Sequence, residues 1–105
     1  MVKGRSLVVN GITFPSKKAL TSYLREMMTR YGVSEHVEGE DRKFCLELFN
    51  YHPDLDSKLM SGVRLIEVRL DSYGNKHFQI YRNNGTDDDI SWTWCVRHAM
   101  PASDN

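Results

Sequence analysis

Ile66-Glu67-Val68-Arg69-Leu70, Ser72-Tyr73-Gly74-Asn75 and His77-Phe78-Gln79-Ile80-Tyr81 follow one another along the chain and decide the reading of the fold. Apolar residues fall at every second position on both sides of a turn-forming tetrad. A period of two belongs to strands with one buried face, so the stretch predicts an antiparallel hairpin. Asn83-Asn84-Gly85 predicts a second turn, extended by an acidic loop, Asp87-Asp88-Asp89. Beyond it Ile90, Trp92, Trp94 and Val96 alternate with Ser91, Thr93 and Cys95, which predicts a third strand of a meander. On that reading Trp92 and Trp94 share one face of the strand, as core if it packs under the helices or as a stacking platform for unpaired bases if it is exposed. With Ile90 and Val96 in the same row, core is preferred. The opposite face carries His77, Gln79, Tyr81, Ser91 and Thr93, extended by Glu67, Arg69 and Asp71. That is a polar sheet surface suited to contacting a partner.

Upstream the period changes. Leu20, Tyr23, Leu24, Met27, Met28 and Tyr31 recur at three- and four-residue steps, one stripe of a helix of about four turns. Ser16 is placed to cap its start, and Gly32 is its expected stop. After a polar connection over 33–39, Glu40-Asp41 suits the start of a second helix. Its buried stripe is Cys45, Leu48 and Phe49, with Phe44 and Tyr51 at the margins, and Pro53 ends it at His52. Residues 53–62 are expected to form a loop or short helical turn. At the N-terminal end, Ser6-Leu7-Val8-Val9-Asn10-Gly11-Ile12-Thr13-Phe14 reads as two short extended pieces around a turn, where Asn10-Gly11 favours the positive φ of a tight hairpin. The expected order is ββααβββ: an α+β domain with a small antiparallel sheet and two helices packed on one face.

The chain of 105 residues suits one domain, expected over 1–105 with a core of about 6–98 and a flexible tail over 99–105. Hydrophobic residues make up 40% and charged residues 27%, a globular balance rather than a disordered one. Fourteen basic residues offset fourteen acidic ones, so no global field draws the chain to nucleic acid or membrane. Phosphate binding would need a local basic patch with the acids gathered elsewhere. No membrane-length apolar run or signal-type stretch is present, and cytoplasmic residence is expected. Cys45 and Cys95 lie among apolar neighbours and read as buried free thiols.

Two signatures resemble the DCL-like (DUF3223) family. One is His52-Pro53 followed by Lys58 and Gly62. The other is Phe78-x-Ile80-x-Arg82-x-x-Gly85, then Asp89-Ile90-Ser91-Trp92-x-x-Cys95. With Gly11-Ile12-Thr13-Phe14 and the lysines after it, the resemblance spans roughly residues 8–96. The family includes plant proteins needed for plastid ribosomal RNA maturation, a C-terminal domain of a plant RNA polymerase subunit, and bacterial and phage proteins, some carrying an HNH nuclease domain. The resemblance implies a role near nucleic acid without established catalytic residues. Neither a transit peptide nor a second domain is expected, and the chain reads as a stand-alone bacterial or phage member.

The residues for such a role are Lys17 and Lys18 at the first helix start, His52, Lys58, Arg64 and Arg82. Each also has a structural reading: a solvated helix start for the lysines, a helix cap for His52, and a cross-hairpin ion pair with Asp89 for Arg82. The histidines lack paired spacing and the Asp87-Asp88-Asp89 run lacks the ligand pattern of a calcium loop, so neither a metal nor a cofactor is expected. Asp41-Arg42-Lys43 and Asp56-Ser57-Lys58 match half of a nuclease signature, too short to carry that chemistry. The expected function is a non-catalytic, nucleic-acid-associated (RNA or DNA) binding domain. The rival is a protein-interaction module, such as a phage factor engaging a host complex. A metal-dependent nuclease ranks last.

Overall fold

A computed structural model of the chain describes residues 6–52 and 62–99. Its elements are β1 (Leu7–Val9), β2 (Ile12–Phe14), α1 (Lys17–Thr29), α2 (Gly39–Phe49), β3 (Val63–Leu70), β4 (Lys76–Arg82), β5 (Asp87–Ile90) and α3 (Trp92–His98). The first two strands pair alone, and the other three form an antiparallel sheet in the order β3-β4-β5. The mixed α+β class and the ββααβββ order stand, with a third helix after the last strand.

Local chemistry explains each element. Asn10 and Gly11 take φ of 51° and 78°, the two positive values that a two-residue hairpin requires. The hairpin is fastened to α2, since the Asn10 backbone N–H donates to Glu47 Oε1 at 2.7 Å. Ser16 caps α1 by accepting from the Ala19 N–H. Gly32 does not stop that helix in a left-handed turn. The helix ends at Thr29, with Arg30 as its cap in right-handed geometry. The last carbonyls find another donor: Lys76 Nζ reaches Met28 O at 3.0 Å and Tyr31 O at 2.8 Å.

Phe44 is not marginal on α2 but fully buried. Its ring meets Phe14 of the hairpin and Tyr23 of α1, while Phe49, one turn further, packs on Phe78 of the sheet. One helix thereby joins hairpin and sheet into a single core. The connection over 33–39 is more than a tether. Val37 is buried, and the segment exchanges backbone hydrogen bonds with β3: Ser34 N–H to Val68 O, Val68 N–H to Glu35 O and Val37 N–H to Ile66 O.

In the sheet, Ile66, Val68, Phe78, Ile80 and Ile90 share the buried face. Two expectations fail at the last strand. Asp87, Asp88 and Asp89 are not a loop; they pair with Tyr81, Ile80 and Gln79 as β5. The strand then stops at Ile90, and Ser91 caps a helix by accepting from the Trp94 N–H. Trp92, Cys95, Val96 and Ala99 are buried at helical spacing, and Trp94 turns outward. The expected loop over 53–61 and the tail beyond Ala99 lie outside the described residues.

Candidate functional site

The predicted basic residues are dispersed. Lys17 Nζ donates to the Arg97 carbonyl oxygen at 2.5 Å, tying the start of α1 to the end of α3. Lys18 beside it is exposed. Arg64 is exposed where the β3 register shifts between Val63 and Leu65, a bulge that turns its side chain outward. Arg82 is 6% exposed. Its guanidinium reaches Asp88 at 3.0 Å and the Thr86 hydroxyl at 3.0 Å, so a cross-hairpin pairing exists with Asp88. His52 is half-buried after α2, its backbone N–H donating to Phe49 O. Lys58 lies outside the described residues.

The polar sheet face is present in part. Tyr81 donates to Glu67 Oε1 at 2.5 Å, and Arg69 lies 3.5 Å from the same carboxylate. The Glu67 bond holds the Tyr81 phenol above its ordinary range. Gln79 Nε2 donates to Asp87 at 2.7 Å, which leaves Gln79 Oε1 as acceptor for His77 Nε2 at 3.3 Å. His77 Nδ1 is then buried with no hydrogen-bond partner among the described residues. Ser91 and Thr93 are not on this face. They begin α3, their hydroxyls 2.8 Å apart, because the capping serine ends the strand one residue after Ile90. With His77 they line an open groove of about 670 Å³ whose far wall is Arg25, Met28 and Thr29 of α1.

The end of α3 is tied to Lys17 at the start of α1, and the first turn of α3 faces Arg25 and Thr29 across the groove. The two helices run antiparallel. Their exposed side holds a group that the strand reading concealed. Trp94 is 46% exposed and lies parallel to the His98 ring, centroids 5.2 Å apart and planes 7° from parallel. The Arg97 guanidinium carbon sits 5.1 Å from the indole centroid, a cation–π contact. Such i, i+3 and i, i+4 neighbours arise only on a helix. A helical count from the capping serine would have found them.

Among the described residues no group of three His, Cys, Asp or Glu side chains could hold a metal ion. Cys45 and Cys95 are free and buried, as the sequence implies. Burial raises both thiols well above the ordinary value, Cys95 to about 12. No described helix is long and apolar enough to cross a membrane.

These elements define a small α+β domain with helices covering one face of an antiparallel sheet. The chain belongs to the DUF3223 family, described as a protein of unknown function, whose profile matches residues 25–96. It is similar to an uncharacterized protein from Rhodospirillum rubrum solved by solution NMR. The two are 33% identical, with a TM-score of 0.82 over 90% of this chain and 91% of that one. No curated protein matches.

Proposed function

We propose that this domain is a non-catalytic module that associates with nucleic acid through the layer formed by α1 and α3. One observation carries the reading: in a neutral chain, α1 and α3 hold more cations than acids, although Asp71 and Asp89 line the groove beside Arg25. Across α1 and α3 the permanent cations are Lys17, Lys18, Arg25 and Arg97, against a single acid, Glu26. The β5 strand holds three aspartates. Affinity for nucleic acid comes largely from cations placed along phosphates, and net charge matters less than local density. Exposed Trp94 within the same layer adds an aromatic surface.

A fluorescence-polarisation titration with labelled RNA and DNA at low salt tests this. Micromolar or tighter binding is expected, and the double variant Lys18→Glu, Arg25→Glu should weaken it by about tenfold or more. No binding to any oligonucleotide at low salt overturns the reading. A second reading, a protein-interaction module, is favoured by the exposed apolar residues Val33, Leu70 and Tyr73. Recovery of a specific host protein that is lost with Leu70→Asp would support it.

A further inference from the structure

We infer that α3 selects unpaired strands, with Trp94 and His98 as a two-ring platform for a base and cations of α1 along the backbone. This rests on the nucleic-acid reading above and names its substrate class. Base stacking needs an aromatic face open to solvent and held in a fixed orientation. Trp94 is nearly half exposed and is held by the His98 ring, 7° from parallel at 5.2 Å. The Arg97 guanidinium, 5.1 Å from the indole centroid, is the group that an incoming base displaces. Neighbouring Trp92 anchors the same helix in the core, so the platform stands on a fixed base. Lys17 adds a second restraint by holding the Arg97 carbonyl. Every base has a π face, whereas in a duplex those faces are already stacked, so the arrangement discriminates by pairing state rather than by sequence.

The cations set the footprint. Lys17 and Arg25 are eight residues apart on α1, about 12 Å along the helix axis. Lys17 is engaged by the Arg97 carbonyl and Arg97 by the Trp94 ring, so with Lys18 and Arg25 as phosphate partners the salt dependence should be shallow, a log–log slope of about −1.4 for a single strand.

The test compares one labelled sequence as single-stranded RNA, as single-stranded DNA, and as the annealed duplex of each, across a salt series. Trp94→Ala and Trp94→Phe are run alongside, with circular dichroism as the control for folding. The expected results are a clear preference for both single strands, loss of about tenfold or more in Trp94→Ala, and substantial rescue in Trp94→Phe. Trp94 is exposed, so both variants should fold. Equal binding of duplex and single strand, or undiminished binding by Trp94→Ala, overturns this inference while leaving nucleic-acid association standing. A preference for RNA over DNA identifies the source of the strand, and equal affinity shows that the sugar is not read. Absence of binding to every probe defeats both readings.

Discussion

Tyr31 shows how one side chain joins two helices. Its phenol donates to Asp41 Oδ2 at 2.7 Å, and the Arg30 guanidinium holds both oxygens of the same carboxylate, at 3.0 and 3.1 Å. The end of α1 is thereby fixed to the first turn of α2. Burial first, and the Asp41 bond second, push the phenol up to about 12 from its ordinary value of 10.0. Folding therefore favours the protonated phenol. Its contribution is fully present below pH ~10 and is lost as pH rises through about 12. Tyr31→Phe should cost about 1 kcal/mol at neutral pH and make the alkaline loss of stability shallower. Urea midpoints for both proteins at pH 8 and pH 11.5 check this. Equal declines in the two proteins would remove Tyr31 from the account.

At the scale of elements, legibility followed the kind of information each element uses. The β1–β2 hairpin was legible because Asn10-Gly11 needs positive φ, a property of residue type. Helix α1 was legible because its stripe runs for nearly four turns. The last element was not. Ile90, Trp92, Trp94 and Val96 satisfy a period of two, while Trp92, Cys95, Val96 and Ala99 satisfy a helical one; seven residues are too few for periodicity to choose. What chooses is the Ser91 hydroxyl on the Trp94 N–H, and with it Trp94 moves from core to surface. A stacking role for Trp94 was legible as an alternative to core, but its partners Arg97 and His98 were not, because they meet it only at helical spacing. Pairing of residues 34–37 with β3 was hidden for another reason: it runs through backbone groups, which leave no side-chain pattern. Ser91→Ala should destabilise the protein by about 1 kcal/mol in urea denaturation and weaken oligonucleotide binding by loosening α3. Unchanged stability and binding would mean that the strand end, not the cap, fixes the helix.

For the molecule as a whole, a single core spans hairpin, helices and sheet, and the two thiols report on its integrity. Cys45 and Cys95 sit in α2 and α3, both buried with raised thiol values. A thiol that stays protonated and shielded reacts slowly. Native protein at pH 8 should resist iodoacetamide, and both cysteines should be alkylated in denaturant, as mass spectrometry would show. Rapid native labelling of either one would indicate that α3 opens away from α2. The sequence conveyed this burial, and the charge balance, from composition and neighbours alone. The placing of the α1 and α3 cations in one layer needed the packing of α3 beside α1, which no composition reveals.

The pairing of residues 34–37 with β3 has a further consequence, for self-assembly. A sheet with free edges is a template on which copies of a chain add strands to one another. Here one margin, along β3, is already occupied by the chain's own connector. The other, β5, exposes Asp87 and Asp89 on either side of Asp88, which pairs with Arg82, so copies approaching edge to edge would bring like charges together. A strand edge of this kind is expected to oppose edge-to-edge addition of further copies, where an apolar margin would invite it.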